Sequence, residues 1–111
     1  MTANEGEVSG APGTELTITV VPGTPHVVKL LGELDLATAA QLRSELRPLD
    51  GDVELDFAGL TFLDSSGMNV LVDAHRDRAA CGHRLVIRGA SEIVLRALTI
   101  TRLTEILDLQ P

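Results

Sequence analysis

Aromatic residues are almost absent from this chain of 111 residues: it has two phenylalanines and no tyrosine or tryptophan. A core must therefore be built from Leu, Val, Ile and Ala, within an apolar fraction of 44%. Basic residues are also scarce. Lys29 is the one lysine, the arginines are scattered, and the net charge is −7. That balance excludes a basic patch for nucleic acid or for an anionic membrane surface, both of which need clustered Lys and Arg. The single cysteine, Cys81, has no partner for an internal disulfide, which points to a reducing compartment. No apolar run reaches the length of a membrane-spanning helix. No basic segment followed by an apolar one marks a secretory signal at the start. A cytoplasmic protein is expected.

The length suits one domain. Residues 1–14 hold Gly, Pro, Ser and Glu with little that is apolar, and read as a mobile tail; the domain is expected over 15–111. Leu16, Ile18 and Val20 alternate with Thr17 and Thr19, the pattern of a strand with one buried face. Val21-Pro22-Gly23-Thr24-Pro25 reads as a type II bend, and 26–31 as the second arm of a hairpin. A helix follows, with Ala39, Leu42 and Leu46 on one face. Thr38 and Gln41 have capping-box spacing, and Asp35 is the alternative cap. Pro48 and Asp50-Gly51 end that helix.

Residues 52–57 read as a strand with Val53, Leu55 and Phe57 on one side, and 60–63 as a loop with apolar anchors. A second helix is predicted over about 66–80, a strand over 84–88, and a third helix capped by Ser91 and carrying Ile93, Val94, Leu95 and Leu98. Glu105, Ile106 and Leu107 suggest a short last strand. This order predicts an α/β fold: a mostly parallel sheet of four to five strands, an N-terminal antiparallel hairpin and about three helices. A monomer is expected, because no large exposed apolar stripe is evident.

Ser65 and Ser66 stand where the second helix begins. A helix start offers unpaired N–H groups and partial positive charge, so a phosphate is well tolerated there. A serine in that place is also a common N-cap. A nucleophilic serine is a third option, but the G-x-S-x-G elbow is missing. His26, His75 and His83 have no Cys, Asp or Glu at a familiar metal spacing and read as surface or helix-end residues. Cys81 reads as a small buried side chain. Glu33, Asp35, Asp56 and Asp64 are candidates for a metal site or a catalytic pair. Caps and solvated strand ends are the commoner use of such carboxylates. No catalytic residue, metal or cofactor is assigned.

Two motifs carry a resemblance: Gly32-Glu33-Leu34-Asp35-Leu36-Ala37-Thr38-Ala39 and Thr61-Phe62-Leu63-Asp64-Ser65-Ser66-Gly67. Together they resemble the STAS domain of bacterial anti-sigma factor antagonists, over 15–109. The resemblance implies a small α/β sheet covered by helices. It also implies a binding switch rather than an enzyme. The unmodified protein would bind an anti-sigma factor that is also a serine kinase, and so release the sigma factor. Phosphorylation of Ser65 would abolish binding, and a PP2C-type phosphatase would reverse it. Asp64, Ser66 and Gly67 would shape the acceptor loop. Glu33, Asp35 and Thr38 belong to the motif expected beside it. Asn69 departs from the glycine common in relatives, and the family's C-terminal helix is expected to be shortened or missing after Leu109. Within the same resemblance, the alternative is a constitutive interaction module of a lipid-transport, stress-signalling or nucleotide-sensing complex.

Overall fold

The computed structural model describes residues 7–9 and 16–111. The elements are β1 (Glu7–Ser9), β2 (Leu16–Val21), β3 (His26–Leu34), α1 (Ala39–Leu46), β4 (Val53–Leu63), α2 (Ser65–Ala80), β5 (Leu85–Arg88), α3 (Glu92–Ile100), a 3-10 turn (Leu103–Glu105) and β6 (Asp108–Gln110). The strands form one sheet in chain order, β1 to β6. The pairings of β1 with β2 and of β2 with β3 are antiparallel, and the remaining three are parallel. This is the expected hairpin followed by parallel strands and three helices. β1 is an addition: it lies within the stretch read as a tail and extends the hairpin edge. The rest of 1–14 falls outside the described residues.

The strands β3 to β6 are parallel neighbours in chain order, and crossovers of the usual right hand put all three helices on one face of the sheet. The burial pattern agrees. Leu16, Ile18, Val28, Leu30, Leu55, Phe57, Leu85 and Ile87 are buried on the helix side. Thr17, Thr19, Lys29, Glu54, Asp56 and Arg88 alternate with them and are partly or fully exposed. Leu42 and Leu46 of α1, Val70 and Leu71 of α2, and Val94 and Leu98 of α3 close the core. Burying each such aliphatic side chain stabilises the fold by about 1.5–3 kcal/mol.

β4 is longer than its sequence pattern predicts. It runs to Leu63 and absorbs 60–63, which the sequence suggested as a loop. Its register against β3 slips twice, between Lys29 and Leu31 and between Gly32 and Glu33. Each slip puts one extra residue in β4, so the buried positions fall at 53, 55, 57, 60 and 63. Strict alternation is lost, and with it the sequence signal for a strand. Gly59 stands at the first slip, where a Cβ would lie 2.9 Å from the carbonyl oxygen of Leu30.

Other local readings also change. Gly23 is not among the positive-φ glycines, so a type II bend is not formed; the Gly23 N–H instead donates to His26 Nδ1 at 3.3 Å. In α3 only Val94 and Leu98 face the sheet, while Ile93 and Leu95 are exposed. Arg102, with φ 63°, ends that helix and leads into the 3-10 turn. The turn draws 105–107 out of extended geometry, so the last strand begins at Asp108. Cys81 sits at the C-cap of α2 and is exposed, contrary to the buried reading.

Candidate functional site

The site forms where β3 and β4 end side by side. Beyond Leu34, the chain turns through 35–38 into α1. Thr38 is the one buried polar residue among those described. Its hydroxyl accepts from the Asp35 N–H at 3.0 Å and donates to the Glu33 carbonyl at 2.9 Å. Asp35 Oδ1 accepts from the N–H groups of Ala37 and Thr38 at 3.0 and 3.2 Å. The capping box read for Thr38 and Gln41 is therefore not formed. Thr38 makes no side-chain cap, and Gln41 reaches across to the Leu16 carbonyl. Asp35, the alternative cap, closes the turn before the helix instead: its side chain takes the Ala37 and Thr38 N–H groups, and its carbonyl takes the Ala39 N–H at 2.8 Å.

Beyond Leu63, the first residue is Asp64, in extended geometry with φ −113° and ψ −174°. Its N–H donates to the Leu34 carbonyl at 3.2 Å. Its Oδ1 accepts from the N–H groups of Ser66 and Gly67 at 2.9 and 3.1 Å. Asp64 is thus the N-cap of α2, and the helix starts one residue earlier than expected, at Ser65. Asp64 Oδ2 also accepts from the Leu36 N–H at 3.3 Å, which joins the two loops.

Capping by Asp64 leaves Ser65 free. Its side chain is exposed and makes no hydrogen bond among the described residues. Ser66 is half-buried, and Gly67 is buried against Leu34 and Leu63. Asn69 is exposed one turn along, on the face of Ser65. The sequence also puts these residues side by side at the start of α2. It did not single out Leu36, which is 79% exposed, or the outward position of Phe62, 45% exposed. A bare leucine between Asp35 and Ala37 gives no signal of that exposure.

The four carboxylates do not converge. Asp35 and Asp64 hold backbone N–H groups, while Asp56 accepts from the Ala58 N–H within β4, paired with Lys29 in the register. Among the described residues no group of three or more His, Cys, Asp or Glu is placed to hold a metal ion. Among the described residues no histidine is hydrogen-bonded to Ser65. His75 is ten residues along the same helix, about 15 Å away along its axis. His83 lies beyond the helix end, 3.4 Å from Asp52. His26 bridges Gly23 and the Asp50 carbonyl. A cleft of about 430 Å³ between α1 and the far half of α2, lined by Leu46, Val70, Asp73 and Arg78, contains none of the site residues. No helix is long and apolar enough to cross a membrane among the described residues.

Comparison with known proteins gives the same direction. The family model described as "Mlab, STAS domain" matches residues 19–110. The anti-sigma-B factor antagonist of Bacillus subtilis is 31% identical over 85 residues, covering 74% of this chain and 78% of that one. An anti-sigma factor antagonist from Mycobacterium paratuberculosis superimposes with a TM-score of 0.77 at 21% identity, over 93% of this chain and 91% of that one. The Bacillus cell fate determinant SpoIIAA, in its phosphorylated form, gives 0.65 at 21% identity, over 86% and 91%. With the motif pair, the sheet and the family match in agreement, the chain belongs to the STAS domain family, with anti-sigma factor antagonists among its relatives.

Proposed function

We propose that this chain is an anti-sigma factor antagonist switched by phosphorylation of Ser65. In the unmodified state it binds an anti-sigma factor with serine kinase activity and frees the sigma factor. The kinase phosphorylates Ser65, binding is lost, and a PP2C-type phosphatase restores it. The chain is then a substrate and binding partner rather than an enzyme, and it works in the cytoplasm as a monomer.

The observation that carries this reading is the free hydroxyl of Ser65. Asp64 does the capping, so Ser65 has no structural task for its oxygen. A phosphate there adds a charge of about −1.5 to −2. The start of α2 tolerates that charge through its N–H groups and dipole. A partner surface laid over Asp64 and Asp35 does not. Burying unpaired charge costs several kcal/mol, and each ~1.4 kcal/mol is tenfold in affinity. A loss of about a hundredfold or more follows. The names of the relatives, and the phosphorylated form of SpoIIAA, support the same assignment.

The test is a pull-down from native extract with wild type, Ser65→Ala and Ser65→Asp as baits. An ATP-dependent anti-sigma kinase retained by the first two and lost with the third supports the switch. One partner held equally by all three overturns it in favour of a constitutive interaction module.

A further inference from the structure

We infer that Asp64 is a positioning residue, whose second carboxylate oxygen ties the Leu36 loop to the start of α2. A partner then meets Leu36 and Ser65 as one preformed surface. The inference rests on the partner-switching reading for its binding half, and on this structure alone for its structural half.

The two oxygens of Asp64 have separate partners. Oδ1 takes both helix N–H groups, at Ser66 and Gly67, so capping is complete without Oδ2. Oδ2 is left to the Leu36 N–H, 28 residues away in sequence. The base of the loop is already rigid: Thr38 locks Glu33 to Asp35, and Asp35 Oδ1 holds Ala37 and Thr38. Between those held residues, the Leu36 N–H takes its partner from the other loop, the Asp64 carboxylate. The tip carries Leu36, the most exposed large apolar side chain among those described, at 79%. A backbone amide tied to a charged group on another element, with its own apolar side chain left in water, is an arrangement suited to burial in a partner. Pre-ordering it lowers the entropic cost of that burial.

Asp64→Asn separates the two tasks. Asparagine is as good an N-cap as aspartate, so its oxygen still serves α2. Its NH2 group, a donor only, then faces the Leu36 N–H, and the tie is lost. Three measurements follow: melting temperature, hydrogen exchange at the Leu36 amide in the isolated protein, and affinity for the anti-sigma kinase that wild type retains. For Asp64→Asn we expect a melting temperature within about 5 °C of wild type. Leu36 exchange should be several-fold faster and affinity about tenfold weaker. Leu36→Ala should weaken binding similarly while leaving the melting temperature and the exchange of the residue 36 amide unchanged.

Unchanged exchange at Leu36 in Asp64→Asn overturns the tie. Faster exchange with unchanged affinity overturns the positioning role. If wild type retains no kinase, the switch reading fails by itself, and the exchange measurement still decides whether Asp64 holds the loop.

Discussion

Gly67 lies so close to Leu34 that a methyl group on its Cα would stand 2.7 Å from Leu34 Cγ and 2.9 Å from the Leu34 carbonyl oxygen. The same methyl would lie 2.7 Å from Leu63 Cδ1. Helix α2 therefore starts in contact with the ends of β3 and β4, and the site depends on that approach. Alanine is the better helix former by about 1 kcal/mol, so propensity alone favours Gly67→Ala. Overpacking against a backbone carbonyl opposes it, at about 1–3 kcal/mol. We expect the clash to win and Gly67→Ala to lower the melting temperature. A higher melting temperature would show that the helix start can move outward without loss.

Ser65 should behave in the opposite way. Its hydroxyl makes no hydrogen bond, so Ser65→Ala should change stability by no more than about 0.5 kcal/mol. Ser65→Asp puts an acidic group in the first turn of α2, where none is present, and should be neutral or stabilising by about 0.3–1 kcal/mol. Urea denaturation of the three proteins checks both. If Ser65→Asp unfolds the chain, its loss of binding says nothing about a switch. In phosphopeptide mapping after incubation with the native kinase, the phosphate should be on exposed Ser65 and not on half-buried Ser66.

Much of this architecture is legible in the residues, and each failure has a physical cause. Alternation at Leu16, Ile18 and Val20 marks a strand because nothing interrupts it. Ser91 marks a helix start because no other capping side chain competes; it accepts from the Val94 N–H as expected. Around the site, Asp35, Thr38, Asp64, Ser65 and Ser66 all have capping chemistry, and spacing alone does not rank them. The strand end at 60–63 is hidden by two bulges, each of which reverses the alternation. The exposure of Leu36 and Cys81 depends on where α1 and α2 lie over the sheet, which is a tertiary fact. The motif pair draws these residues together where the local rules do not rank them.

Acid should loosen β6 first through Asp108. Arg84, next to β5, donates a hydrogen bond to the Asp108 carboxylate. That bond, followed by one from Gln110, holds the Asp108 carboxyl below the ordinary value of 3.8. A carboxyl with a lowered folded-state pKa contributes stability above its unfolded value, and that contribution is lost as pH falls through the folded one. The pairing should thus stay intact at the pH where an ordinary carboxyl titrates, and be lost only as pH falls further, through the lowered folded-state value. Because both groups are partly exposed, the effect is local. An NMR titration of Asp108 should give a midpoint below 3.8 that rises in Arg84→Ala. An identical midpoint in the two proteins would remove Arg84 as the cause.

Arg78 should prove the most sensitive charged residue outside the site. Its Nη1 donates to the carbonyls of Leu49 and Gly51 at 2.8 and 2.9 Å, and its Nη2 to the Leu46 carbonyl at 2.9 Å. One guanidinium therefore closes the C-terminal end of α1 and the turn into β4. Burial lowers its pKa, with Asp50 and Asp77 opposing the shift; a guanidinium stays charged at neutral pH in any case. Removing it strands three carbonyls in a half-buried cleft. Arg78→Ala should cost about 2–4 kcal/mol, the scale of a few charge-assisted hydrogen bonds partly replaced by water. Arg78→Lys should recover less than half of that, because an ammonium lacks the planar fork that serves both ends of the turn. Urea midpoints of the three proteins, at an unchanged slope, read these differences directly. A lysine variant as stable as wild type would mean that charge alone, and not the fork, holds the turn.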